Sequence, residues 1–198
     1  MKIAIIKYNA GNIRSVLYAL ERIGYSALVT DNENEIRNAD KVIFPGVGEA
    51  STAMNYLKER NLDKLICSLI QPVLGICLGM QLMCNYSEEN NSTCLGIFDE
   101  EVIKFKPHPL KGSNKVPQIG WNNIYNLKTG LFKSVLENSY CYSVHSYYAS
   151  LGEHTIATTD YIQPYSSALK KNNFYGVQFH PEKSALVGET ILKNFLEI

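Results

Sequence analysis

The first half of the chain alternates short apolar runs with amphipathic ones, and that order leaves few folds open. Ile3 to Lys7 reads as a strand. After the Asn9-Ala10-Gly11-Asn12 turn, Ile13, Val16, Leu17, Leu20 and Ile23 recur at helical spacing and stop at Gly24. Ser26 to Thr30 and Lys41 to Phe44 are further strands, Glu49 to Arg60 and Leu62 to Ile70 further helices, and Val73 to Ile76 another strand. Strands separated by helices pair in parallel and need helices over both faces. Beyond Val102 the pattern becomes hairpin-like. Val102 to Phe105, Tyr140 to Tyr148, Thr155 to Thr159, Ser167 to Lys170 and Phe174 to Phe179 are strand candidates, and a helix from Leu186 to Leu196 follows. The expected fold is α/β: an open, mostly parallel sheet with helices on both faces and an antiparallel strand extension in the second half. Ser87 to Thr93 and Pro107 to Lys115 read as loops, and no linker divides residues 1–198, so one domain is expected.

Within that frame, Gly75-Ile76-Cys77-Leu78-Gly79-Met80-Gln81 places a cysteine between two glycines where a buried strand should turn into a helix, running on from Leu78 to Tyr86. A strand-to-helix turn of the G-x-nucleophile-x-G kind displays its central side chain, and flanking glycines let neighbouring backbone approach without a Cβ clash. A helix N-terminus also favours a thiolate over a thiol. A cysteine simply packed on a buried strand would give the same residue type here.

About a hundred residues downstream, Gly176-Val177-Gln178-Phe179-His180-Pro181-Glu182 alternates apolar and polar residues as a strand does. His180 and Glu182 should then point to one side. An imidazole can take a thiol proton while a carboxylate fixes its tautomer and stabilises the imidazolium. A His-Pro-Glu turn at a strand end is the plainer explanation of either residue alone.

Composition excludes several function classes. Nineteen basic and nineteen acidic residues leave zero formal charge, without the basic block that nucleic acid or an anionic membrane surface would require. The N-terminal apolar stretch is too short for a signal peptide, and no run approaches a membrane span. Five scattered cysteines fit reduced thiols in the cytoplasm better than a disulfide framework. Cys67, Cys84, Cys94 and Cys141 are read as packing residues, and no C-x-x-C spacing suggests a metal site.

The two motifs together resemble the triad-type glutamine amidotransferases, marked by G-x-C-x-G-x-Q and, near the C-terminus, H-P-E. The resemblance implies a glutaminase that needs no cofactor. Cys77 would attack the side-chain amide of glutamine, His180 would serve as base and then acid, and Glu182 would be the third member. It places Gln81 on the bound glutamine. It makes Gly46, Val47 and Gly48, from Pro45-Gly46-Val47-Gly48, the oxyanion strand, with Val47 and Leu78 N–H as donors. Ser146 and Tyr147, in Val144-His145-Ser146-Tyr147-Tyr148, would contact the substrate's amino and carboxylate groups, while His145 reads as a satisfied core histidine.

Within that family, Pro45 to Gly48, Pro117-Gln118-Ile119-Gly120-Trp121-Asn122 and His180-Pro181-Glu182-Lys183-Ser184 look like the glutaminase subunits of imidazole glycerol phosphate synthases. The resemblance implies a cyclase partner with a (β/α)₈ barrel, joined as a heterodimer and receiving ammonia for histidine biosynthesis. Asn12, Trp121 and Lys183 would lie at the interface, and a flip of the Gly46-Val47 peptide would switch the oxyanion hole. Gln118 departs from the histidine more usual there, which bears on the interface. Three alternatives stay open: a glutaminase of another synthase such as that of pyridoxal phosphate, a cysteine hydrolase, and a non-enzymatic flavodoxin-like module. The hydrolase order of nucleophile, acid and histidine is not the order here, where His180 precedes Glu182.

Overall fold

A computed structural model describes residues 1–9, 12–107 and 115–198. The early strands are β1 (Ile3–Ile6), β2 (Leu28–Thr30), β3 (Lys41–Gly46) and β4 (Val73–Cys77). Their connecting helices are α1 (Ile13–Arg22), α2 (Glu33–Arg37), α3 (Ala50–Glu59) and α4 (Leu62–Cys67), and α5 (Leu78–Met83) follows β4. The second half contributes β5 (Tyr86–Ser87), β6 (Ser92–Thr93), β7 (Glu101–Lys104), β8 (Gln118–Ile124), β9 (Ser139–His145), β10 (Tyr147–Ala149), β11 (Thr155–Asp160), β12 (Pro164–Lys171) and β13 (Phe174–Val177), then helix α6 (Ala185–Glu197). The main sheet runs β2-β1-β3-β4-β13-β12-β10-β7-β5-β6, with β11 added against β12. From β2 to β13 every pairing is parallel, and β13 to β12 begins the antiparallel part. The expected α/β sheet with its antiparallel extension is what the chain forms.

Every residue of β1, β3 and β4 is buried, because helices cover both faces. On one face Met54 and Leu57 of α3 and Leu65 and Ile66 of α4 pack with Phe44 and Met83. On the other, Val16 and Leu20 of α1 and Ile191 and Phe195 of α6 pack with Ile43 and Leu74. Helix α5 lies unusually close to the sheet: a Cβ on Gly79 would sit 1.8 Å from the Phe44 carbonyl oxygen. No helix among the described residues is long and apolar enough to cross a membrane.

Several expectations change in detail. The run Tyr140 to Tyr148 is not one strand. It breaks at Ser146, since β9 pairs with β8 in a separate two-stranded ribbon while β10 pairs with β7 and β12 in the main sheet. The helix after Cys77 ends at Met83 rather than Tyr86. Its last carbonyls, of Leu82, Met83 and Cys84, accept from the N–H groups of Leu95, Phe98 and Gly96, so a neighbouring segment terminates it. Ser87 to Thr93 is not only loop, because β5 and β6 pair across a short turn. β8 and α2 were not anticipated; α2 has five residues and rests on Asn32, whose side chain accepts from Asn34 and Glu35 N–H. The strand expected to reach Phe179 stops at Val177. Ala10 and Gly11 of the first turn, and 108–114 of the Pro107 to Lys115 loop, lie outside the described residues.

Gly79→Ala should be expensive, since backbone lies on the far side of the missing methyl and cannot retreat. We expect a loss of about 3 kcal/mol or more by urea unfolding, the upper end for overpacking. Gly130→Ala, which meets nothing within 4 Å, should stay within about 0.5 kcal/mol.

Candidate active site

Parallel pairing on both edges of β4 brings three chain segments to one place. Gly46 is paired with Cys77, and Val177 with Ile76, so the segments leaving β3, β4 and β13 emerge together at the carboxyl end of the sheet. Cys77 holds φ 53° and ψ −112°, a conformation that ordinary side chains avoid. Such backbone strain costs on the order of 1–3 kcal/mol and persists only where its surroundings impose it. Here Gly75 and Gly79 supply the space: a Cβ at Gly75 would lie 2.8 Å from Met80 N.

His180 and Glu182 face the same place for a reason other than the strand alternation expected. His180 keeps an extended backbone, and Pro181 starts a single 3₁₀ turn, Pro181–Lys183, that swings Glu182 back beside the imidazole. The turn is clamped to β9: His180 N–H donates to Tyr142 O (2.8 Å), Tyr142 N–H donates to Ser184 Oγ (2.9 Å), and Ser184 Oγ donates to His180 O (2.7 Å). His180 Nδ1 lies 2.8 Å from Glu182 Oε1, with both side chains buried. Asn12 Nδ2 donates to the same oxygen at 2.5 Å. Burial alone would lower the pKa of His180, but hydrogen bonds with Cys77 and Glu182, and their negative charges, outweigh it and raise the value to about 10.

Cys77 and His180 border a cavity of about 370 Å³. Val47 and Gly48 form one wall, Cys77 and Leu78 the floor, Ser146 and Tyr147 another wall, with Gln81 deeper in and Lys183 at the rim. Gly46 stands apart from them. It sits behind the wall, where a Cβ would come within 2.3 Å of the Tyr8 hydroxyl, and that hydroxyl donates to Pro45 O at 2.7 Å. His145 is a satisfied histidine: Nδ1 lies 2.7 Å from Tyr147 O and Nε2 3.3 Å from Tyr165 Oη, and burial lowers its pKa to about 4.

Three site residues escaped the sequence reading. Glu89, inside a supposed loop, presents a carboxylate to the cavity; its Oε2 accepts from Ala50 N–H at 2.8 Å, and burial raises its pKa. Gln178, quoted within the His-Pro-Glu strand but given no task, is fully buried with Nε2 3.7 Å from Cys77 Sγ. Tyr8, at the head of the Asn9-Ala10-Gly11-Asn12 turn, was given no task. Their only sequence signal is polarity at positions that the fold encloses.

Of the surface residues, Trp121 is 53% exposed, which removes a core role. Its ring meets Tyr142 edge-on (6.0 Å), and Lys183 Nζ lies 5.8 Å from the same Tyr142 ring, so the three form one patch beside the cavity rim. Asn12 is half-buried because its amide serves Glu182. Gln118 is no surface residue: it is 2% exposed and its Oε1 accepts from Tyr165 Oη at 3.2 Å. Within this chain it is a packed, hydrogen-bonded residue. Cys84, Cys94 and Cys141 are buried as expected, but Cys67 is exposed, since α4 ends there and turns it outward.

A thiol on a strand-to-helix elbow, faced by a histidine and a carboxylate from the turn that follows the adjoining strand, defines a thiol-dependent acyl-transfer site on an α/β sheet. The chain belongs to the class-I glutamine amidotransferases: the model of that family matches residues 4–198. It is 59% identical, over the whole of both chains, to the imidazole glycerol phosphate synthase subunit HisH of Bacteroides fragilis. To the HisH of Haemophilus influenzae it is 45% identical over all of this chain and 98% of that one. The crystal structure of a glutamine amidotransferase from Thermotoga maritima shares the fold at 16% identity, with a TM-score of 0.62 over 99% of this chain and 82% of the other.

His180 supplies a pH test. Its folded value lies above the 6.5 of a free imidazole, so the stabilisation it reports is complete below about pH 6.5 and lost as pH rises through about 10. Glu182→Gln removes one of the raising contacts. His180 ring resonances, followed by NMR, should then titrate at lower pH than in the unchanged protein.

Proposed function

We propose that this chain is the glutaminase subunit of an imidazole glycerol phosphate synthase, acting as a single domain of residues 1–198 through Cys77, His180 and Glu182. The observation that carries the reading is a thiol and an imidazole lining one cavity beside Val47 and Gly48, with the buried Glu182 carboxylate held against the imidazole. Because His180 favours its protonated form, it can hold the proton that the Cys77 thiol gives up on attack. The Cys77 sulfur attacks the side-chain amide carbon of glutamine, and Val47 and Leu78 N–H hold the developing oxyanion. As the C–N bond breaks, His180 gives its proton to the leaving nitrogen and ammonia departs. A water then attacks the thioester with His180 as base, releasing glutamate and restoring the thiol. Gln81, Ser146 and Tyr147 hold the amino-acid head of the substrate. The Glu89 carboxylate, at the same cavity, suits its ammonium group.

Ammonia made this way needs an acceptor. The names of the relatives, together with the exposed Trp121 and Lys183 on either side of half-buried Tyr142 beside the rim, support a cyclase partner with a (β/α)₈ barrel. Asn12 joins that surface while holding Glu182 from behind. The partner pair works as a cytoplasmic heterodimer, with a flip of the Gly46-Val47 peptide completing the oxyanion hole when the partner binds its own ligand. Gly46, on the amino side of that peptide, tolerates the dihedrals that either state needs.

The test is direct. A glutamine-mimicking electrophile should label Cys77 alone among the five thiols, and Cys77→Ala should abolish ammonia release in complex with the cyclase. Labelling elsewhere, or retained turnover, overturns the reading. For the partner surface, Trp121→Ala should weaken cyclase binding by about 2 kcal/mol, roughly thirtyfold in Kd by calorimetry, as an aromatic anchor does.

A further inference from the structure

Gln178 is fully buried two residues before His180, and the proposed chemistry gives it no work. Its side chain nevertheless ends a chain of hydrogen bonds on the nucleophile. Gln81 Nε2 donates both to Tyr147 O (2.9 Å) and to Gln178 Oε1 (2.8 Å), while Gln178 Nε2 donates to Cys77 Sγ (3.7 Å). The polarity of this chain is fixed at one end. A backbone carbonyl can only accept, so Tyr147 O obliges Gln81 to present its NH₂ group. With that group turned to Gln178, Gln178 must offer its own carbonyl there and its NH₂ to the sulfur. An amide orientation that is often ambiguous is here dictated by its neighbours.

We propose that Gln178 is a catalytic residue, a neutral donor to the Cys77 sulfur that also fixes which face of the Gln81 amide meets the substrate. The inference rests on the glutaminase reading. As a thiolate, Cys77 would have two donors, the His180 imidazolium and the Gln178 amide, and only the first moves a proton during turnover. When His180 gives its proton to the leaving nitrogen, the Gln178 contact stays in place and holds the sulfur at the end of β4. No bond forms or breaks at Gln178. Its second task follows from geometry: with both amide protons of Gln81 engaged, Gln81 keeps its carbonyl oxygen for the cavity that it lines, an acceptor of constant orientation.

Two variants test this in the complex with the cyclase. Gln178→Met keeps the length and removes both contacts. Gln178→Glu retains an acceptor for Gln81 and replaces the donor to sulfur with an oxygen. In Gln178→Met, alkylation of Cys77 by iodoacetamide at pH 7 should slow about tenfold, the scale of one hydrogen bond to a charged group. Its kcat should fall alike, and its KM for glutamine should rise. Gln178→Glu should lose kcat while keeping KM within about twofold, a split that general loosening of the core would not produce. Alkylation at the unchanged rate in Gln178→Met overturns the proposal. If that variant does not melt cooperatively, unchanged alkylation and kcat in Gln178→Glu overturn it instead. Failure of the glutaminase reading would look different: the unaltered complex would release no ammonia, while the alkylation comparison would still report on Gln178.

Discussion

The parallel pairing of β4 with β3 on one edge and β13 on the other is the constraint from which the site follows. Each of the three strands ends at the same level, so the loop after β3, the elbow after β4 and the turn after β13 cannot avoid one another. Residues 46, 77 and 180 are far apart in the chain, yet no side-chain interaction is needed to collect them. Backbone hydrogen bonds in a fully buried sheet do so. That is why the strained dihedrals of Cys77 can persist: β4 is held on both edges, and α5 is pressed against it through Gly75 and Gly79.

Much of this was legible in the chain. The β-α alternation of the first half and the glycines around Cys77 are local signals, and each kept its meaning in the fold. His180 and Glu182 were paired by a strand argument that does not hold, because the strand ends at Val177 and a proline-started turn makes the contact. Two residues two apart can meet in either geometry, so the sequence pattern could not tell them apart. Ser146 shows the opposite failure. The run from Tyr140 to Tyr148 has unbroken strand propensity, and only the competing partners β8, β7 and β12 decide where it divides. Glu89 and Gln178 were illegible for a related reason: a polar residue in a loop or strand has no local sign that the fold will enclose it.

The electrostatics of the site balance two needs. The proposed chemistry requires a thiolate, yet a buried negative charge is costly unless it is paired and hydrogen-bonded. His180 meets the first need by holding its proton, and Glu182 supports the charge that results. Glu182 is itself buried, and Oε1 is engaged by both His180 and Asn12 while Oε2 has no hydrogen-bond partner among the described residues. The carboxylate therefore depends on one oxygen and two donors. Losing either donor leaves a buried charge less compensated, so the triad is sensitive to the placement of Asn12 as well as of His180.

That dependence ties the surface to the chemistry. Tyr8 donates to Pro45 beside Gly46 and Val47, and Asn12, four residues on, donates to Glu182. The two ends of one short N-terminal segment thus grip the two halves of the site, one behind the segment leaving β3 and the other behind the turn leaving β13. Asn12 is only half-buried, and the patch of exposed Trp121 and Lys183 around half-buried Tyr142 adjoins the same turn. A contact that shifted Asn12 or the 3₁₀ turn by a fraction of an ångström would change the hydrogen bonding of Glu182 before it reached any substrate. In a buried, low-dielectric pair such small displacements carry large electrostatic weight. A surface so placed needs no long relay to influence Cys77, because Glu182 and His180 stand in direct succession behind it.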